Sequence, residues 1–288
     1  MTYEPKPTVR RRVIGTNLRR LREEKELFLE HAAEVLSCNP SKISRIESAQ
    51  SGIRQIDLKA LLDLYGVTDP KAREGWLMLA RESREQRWWR VLEDRLPRDF
   101  LDLIGLEEDT SYCRGFEPGV VAGLFQTLKY AEAVIRGGSP VPLNDSEQAR
   151  LAVRMERQKA ITRSENPITV WMILGEAALR QQYGGPEVLR GQLHHLIELA
   201  ALPNVTLQVL PFSVGAYRGG PIPFQIYSFP EPSDMQVVLL ESHLSHTYLE
   251  SPHDTGYYAD VFNHLRAAAL GELESRAFIK DVARDLPG

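Results

Sequence analysis

Apolar residues recur at helical spacing near the start of the chain. Across Val13–Lys25, Val13, Ile14, Leu18 and Leu21 share one face, while Arg19, Arg20 and Arg22 point mostly elsewhere, which predicts an amphipathic helix. A second short helix is predicted in "LEHAAEVL", with Leu29, Ala32, Ala33 and Leu36 on its inner side. Ala33 is small, as a close helix crossing requires. After the tight connection "SCN", a third helix opens at Asn39-Pro40. Asparagine caps a helix because its side chain accepts from the free amides of the first turn, and proline at the first helical position forfeits no hydrogen bond. Ile43 and Ile46 form the buried pair, leaving Ser41, Lys42, Ser44 and Arg45 exposed. Two short helices joined by about three to four residues, the second presenting small polar and basic side chains, have the form of a helix-turn-helix.

The pattern changes after "GVTDP". Residues 68–110 read as two helices with apolar positions at Trp76, Leu77, Leu79 and Ala80, then at Trp88, Trp89 and Leu92. They predict a connector and dimer element. From Ser111 onward strands and helices mix. "SYCRGFEP", "ITVWMIL", "VTLQVLPF", "IPFQIYSF" and "MQVVLLES" are β-branched or alternating runs that predict strands. "AGLFQTLKYAEAVIR" predicts a helix ending at Gly137-Gly138, and "DSEQARLAVRMERQKAI" one capped by Asp145 or Ser146. "PEVLRGQLHHLIELAAL", "YYADVFNHLRAAAL" and "ESRAFIKDVARDL" complete the helices. The expected architecture is an all-α helix-turn-helix domain over residues 1–67, joined by helices to an α+β domain over 111–288 with a sheet of about five strands.

At 288 residues the chain has room for about two domains. Its 26% charged residues, and the lack of any apolar run near the ~20 residues of a membrane helix, point to a soluble chain. "MTYEPKPTVRRRV" lacks the apolar stretch of a secretory signal. Cys38 and Cys113 stand far apart without ligand spacing, which fits a reducing cytoplasm. The net charge of −4 argues against nucleic acid until it is divided. Residues 1–67 hold 12 Lys/Arg and 9 Asp/Glu, a balance of +3, and the remainder carries −7. Seven cations fall between Arg10 and Lys25, either a local basic face for phosphate or a solvated arginine-rich helix.

The stretch from "VIGTNLRRLREEK" to "LLDLYGV" resembles the phage-repressor-type (XRE) helix-turn-helix family in "LRRLRE", the small "AA" pair and "S-x-I-S-R-I-E". The resemblance implies that the third helix enters the major groove of double-stranded DNA, with base-edge roles for Ser41, Lys42 and Arg45, and with Ser44 on the same exposed face. Glu47 is expected to tether the helix internally. Pro40 and Leu29 stand where the family often has glutamines, so reading shifts to Lys42, Arg45 and Arg54, with Arg11, Arg12 and Arg19 as phosphate contacts. The second part resembles the DUF5753, antitoxin-like regulators of actinobacterial type. The resemblance lies in "FEPGVVAGLFQTLKYAEAVI", "VRMERQKAI", "GEAALRQQYGG", "QLHHLIELAALPNVTLQVLPF" and "VVLLES". It implies a regulator whose gene neighbours that of a small partner protein, and carries no catalytic activity.

The remaining chemistry is sparse. His194 and His195 are adjacent and diverge on a helix. In "ESHLSHTYLES", taken as one strand, Glu241 and His243 share a face and His246 does not. Neither arrangement makes a metal site, and no hydrolase, zincin or Walker motif occurs, so neither enzyme nor cofactor is expected. Glu117, Gln126, Tyr130, Glu176, Arg180 and Glu241 are polar residues within apolar motifs. They either stitch helices to the sheet or converge on a ligand or peptide. Phe212 and Tyr217, in a Gly- and Pro-rich loop, offer contact area to a partner. The expected function is a homodimeric transcriptional regulator on an inverted-repeat operator. The alternative is an antitoxin-like protein that neutralises a small partner and regulates its own operon.

Overall fold

The computed structural model describes residues 9–80, 96, 98–229, 236–241 and 246–287. Trp88, Trp89, Leu92 and His243 lie outside them. Among the described residues, five helices form the N-terminal unit: α1 (Val9–Glu24), α2 (Leu29–Val35), α3 (Pro40–Glu47), α4 (Gln55–Leu64) and α5 (Pro70–Ala80). Val13, Leu18, Ala32, Ala33, Ile43, Ile46, Leu58 and Leu62 fill its interior. Asn39 caps α3 by accepting from the Ser41 amide at 2.9 Å, with Pro40 in the first turn. Ala33 is buried, and a further close helix approach is at Gly15. A Cβ on Gly15 would stand 2.6 Å from the Glu47 carbonyl oxygen, so α1 and α3 cross there only because that atom is missing. α5 packs on α1 and α4 through Trp76 and Leu79, which are buried.

The rest of the chain runs α6 (Arg98–Asp109), β1 (Tyr112–Glu117), α7 (Leu128–Arg136), α8 (Asp145–Arg157), α9 (Lys159–Thr162), β2 (Thr169–Gly175), α10 (Glu176–Arg180), α11 (Pro186–Leu199), β3 (Val205–Leu210), β4 (Phe224–Ser228), β5 (Gln236–Glu241), β6 (His246–Leu249), α12 (Pro252–Ala268) and α13 (Glu272–Asp285). The sheet order is β3-β2-β1-β4-β5-β6. β1, β2 and β3 are parallel, while β4, β5 and β6 each run antiparallel to the preceding strand in the sheet. The sixth strand, β6, pairs antiparallel with β5 and stands His246 directly opposite Glu241. The one-strand reading, which separated those two residues, is corrected by that pairing.

Side chains alternate across the sheet. Cys113, Val170, Met172, Leu174, Leu207, Tyr227, Val237 and Leu239 pack with residues of α6, α7, α8, α11 and α13. The opposite face carries Phe116, Ile173, Ile226 and Val238, covered by Val261, Phe262 and Leu265 of α12. The α+β expectation therefore holds, with helices on both faces. Two local readings change. The helix expected over "AGLFQTLKYAEAVIR" breaks into a 3-10 turn, Gly123–Phe125, and a separate α7 capped by Thr127. α8 is capped by Asn144, whose side chain accepts from the Glu147 amide while Glu147 accepts from the Asn144 amide. That reciprocal pair outcompetes a cap from Asp145 or Ser146.

Candidate functional site

The exposed face of α3 carries Ser41, Ser44 and Arg45 in solvent, and Lys42 at its margin. The Arg45 guanidinium has no side-chain partner among the described residues. Lys42 and Arg54 converge on one carboxylate: Lys42 Nζ lies 3.0 Å from Asp57 Oδ2, and Arg54 reaches both Asp57 oxygens at 3.2 and 2.8 Å. The Asp57 pKa is lowered, chiefly by the Arg54 hydrogen bond and further by Lys42. Asp57 thus fixes two cations on the edge of α3, a positioning role that the sequence reading missed.

Behind this face, Arg22 Nε and Nη2 donate to Glu47 at 2.7 and 2.8 Å, and Nη1 donates to the Leu27 carbonyl at 2.7 Å. Both side chains are buried. Glu47 tethers α3 internally as expected, while Arg22 leaves the basic surface and joins the scaffold. Arg19 is exposed and paired with Glu23 at 2.8 Å, and Arg11 is exposed. Arg12 instead faces the sheet domain. Its Nε donates to Glu250 at 2.8 Å, and its guanidinium lies over the Tyr248 ring at 5.7 Å. A helix of the N-terminal unit is therefore bonded to the end of β6.

A polar cluster crosses the sheet beneath α6 and α8. Arg157 donates to both oxygens of Glu107 at 2.5 and 2.6 Å, with both side chains buried. Burial opposes the Arg157 charge, yet Glu107 outweighs it and holds that pKa above its ordinary value. Tyr227 donates to Glu107 at 3.0 Å and also bonds Gln225, whose amide donates to Glu117 at 3.0 Å. Above Glu117, Arg154 Nη1 donates to Gln126 Oε1 at 2.8 Å, while its buried Nε has no partner among the described residues. Glu241 keeps 48% of its side-chain surface accessible and sits 3.7 Å from His246 Nε2. Burial would raise the Glu241 pKa, but His246, Arg154 and Arg157 together hold it low.

The eight ligand candidates therefore separate. Glu117, Gln126 and Glu241 belong to this cluster. Glu176 accepts from Arg180 at 2.6 Å and from the Phe212 amide at 2.9 Å, stitching α10 to the loop after β3, with the Phe212 ring exposed. Tyr130 is buried against Tyr183, and Tyr217 packs edge-on to Phe116 on the opposite face. The sequence reading missed Arg154, Arg157, Glu107, Gln225, Tyr227 and His246 as members. One signal was available: Ala149, Val153 and Arg157 recur every four residues, which puts an arginine on the buried stripe of α8.

Burial raises the Glu117 pKa to about 8, with Glu241 adding to the rise and Gln225 and Arg154 opposing it. The folded chain therefore holds a proton that the unfolded chain releases, and stability falls as pH climbs from the ordinary carboxyl range to about 8. Glu117→Gln keeps the neutral shape. Its stability relative to the parent is expected to grow across that window, to the order of 3 kcal/mol. Urea unfolding at about pH 5 and about pH 8 checks this, and a pH-independent difference would contradict it.

Among the described residues no group of three His, Cys, Asp or Glu side chains is placed to hold a metal ion, and no helix is long and apolar enough to cross a membrane. No curated protein and no solved structure matches the chain. Two family models do. A helix-turn-helix domain matches residues 13–75, and the domain of unknown function DUF5753 matches residues 100–281. The second match spans the sheet and its polar cluster and takes in well over half of the sequence, so the chain belongs to the DUF5753 family and carries a helix-turn-helix domain ahead of it.

Proposed function

We propose that the protein is a sequence-specific transcriptional regulator that binds an inverted-repeat operator as a homodimer, its C-terminal domain sensing a small ligand or partner protein. The observation that carries the DNA-binding part is the face of α3, where Arg45 is exposed and Lys42 and Arg54 are held on Asp57. Lysine and arginine donate to guanine edges, and serine serves any base. One recognition helix reads too few base pairs for genomic specificity, so the reading needs two copies about one helical turn apart. Selection of duplexes from a random pool by the full-length protein is expected to enrich an inverted repeat with that spacing. A pool that stays unenriched overturns the proposal.

The contact of Arg12 with Glu250 supports the regulatory part, because a phosphate-binding candidate on α1 is engaged by the sheet domain. β6 also carries His246 opposite Glu241, so one short strand touches both the polar cluster and the DNA-binding unit. Releasing Arg12 adds a phosphate contact. Glu250→Gln is expected to steepen the dependence of log K on log salt for a non-specific duplex by about 0.9. In an Arg12→Ala background the same substitution should change nothing. Equal slopes for the parent and Glu250→Gln would remove Arg12 from the regulatory path.

A further inference from the structure

We infer that the polar cluster is a binding site for a small amino-carboxylate zwitterion, held by Arg154 at its carboxylate and by Glu241 at its ammonium group. The inference names the ligand for the sensing domain proposed above, and rests on that reading only for its regulatory meaning.

Topology supplies the first argument. β1 is where the sheet connectivity reverses: β2 and β3 build outward on one side, and β4, β5 and β6 on the other. Open sheets bind ligands outside the carboxyl ends of their strands at such a switch point. Glu117 is the last residue of β1 and Glu241 the last of β5. The register Gly115↔Gln225↔Leu239 puts Glu117 and Glu241 at one level and on one face, two strand spacings apart, or about 10 Å between backbones. The strand between them, β4, begins only at Phe224, opposite Phe116. The next rung would fall at Pro223, which has no amide hydrogen to extend the ladder. The sheet edge is therefore notched between the two carboxyl groups.

The second argument is a cation without a counter-ion. Arg154 is drawn electrostatically to both Glu117 and Glu241, yet forms no ion pair with either. Among the described residues its one hydrogen bond is to Gln126, and its buried Nε has no partner. A buried guanidinium edge without an acceptor is costly, and a carboxylate accepting two parallel N–H bonds is its natural complement. Arg157, by contrast, is already satisfied by Glu107 and makes no demand on a ligand.

Charge balance sets the ligand class. With Arg157 and Glu107 neutralising each other, the notch presents one cation, Arg154, and one carboxylate, Glu241, beside which His246 Nε2 stands 3.7 Å away. A simple anion leaves Glu241 facing it, and a simple amine leaves Arg154 without an acceptor. A net-neutral molecule with both charges answers both groups. The Glu241 side chain keeps about half of its surface accessible, so a ligand can reach it from solvent.

The test titrates the full-length protein with each of the twenty free L-amino acids by calorimetry near pH 7, with acetate and ethylammonium as single-charge controls. At least one amino acid is expected to bind, and both controls to bind about ten- to a hundred-fold more weakly. Arg154→Met and Glu241→Gln should each weaken amino-acid binding by a similar factor. Should Arg154→Met unfold, Glu241→Gln carries the test, because its carboxylate is half exposed. Acetate binding as tightly as the amino acids, affinity unchanged in both variants, or no binding by any of the twenty would each overturn the inference. DNA affinity is measured separately: amino-acid binding by a protein without DNA affinity would sink the regulator reading and leave the site standing.

Discussion

The double substitution Lys42→Ala/Arg45→Ala is expected to abolish operator selection while leaving the fold intact. Each well-placed bidentate base contact discriminates by about 1–3 kcal/mol, so losing two lowers operator affinity by about 10²- to 10⁴-fold. The two side chains start from different states. Arg45 has no side-chain partner among the described residues and sits on the exposed face of α3. Lys42 is already held by Asp57 at 3.0 Å, but an ammonium has three donors and can keep that bond while reaching a base edge. Removing Lys42 does not strand Asp57, because Arg54 still donates to both of its oxygens. Stability should therefore change by no more than about 0.5 kcal/mol. Affinity for non-specific duplex should fall only as far as two lost charges dictate, with a shallower salt slope. A gel-shift titration on the selected operator reads the effect, and unchanged affinity would take α3 out of the groove.

Much of this face was legible because local chemistry decides it. Asn39 and Pro40 specify a helix start through the backbone alone, and Ile43 and Ile46 specify which side turns inward. The partner of Glu47 was not legible. Arg22 stands among six other cations between Arg10 and Lys25, and only the crossing of α1 over α3 at Gly15 shows that it points inward. Gly15 itself has a positional meaning that no periodicity carries, since its role is to let a carbonyl approach. The sheet domain divides in the same way. Strand-like runs predicted β1 to β5, but four-residue β6 is a strand only because β5 offers it an edge. Glu117, Gln126 and Glu241 stood out as polar residues in apolar surroundings. What they converge on depended on Arg154 and Arg157, which arrive from a helix whose place above the sheet is a tertiary fact. Glu176 and Arg180 looked equivalent in sequence and proved to serve the loop after β3.

Arg157→Met is expected to be the most destabilising single change in the sheet domain. The substitution removes both hydrogen bonds to Glu107, whose side chain is 3% exposed, and leaves that carboxyl with Tyr227 as its remaining donor. Breaking a buried pair at one partner costs about 3–5 kcal/mol because the survivor keeps its desolvation penalty. For a domain of this size that lowers the melting midpoint by on the order of 10 °C. Loss of the guanidinium over the Phe100 ring, 5.6 Å from its centroid, adds a smaller amount. One feature separates this account from simple loss of packing. Adding Glu107→Gln to Arg157→Met removes the stranded charge and should restore most of the loss, because replacing both partners of a buried pair is far less costly than removing one. Calorimetric melting of the two variants decides between the accounts. A deficit that persists in the double variant would mean that Arg157 acts through its bulk, and that the charge beneath α8 is incidental to the fold.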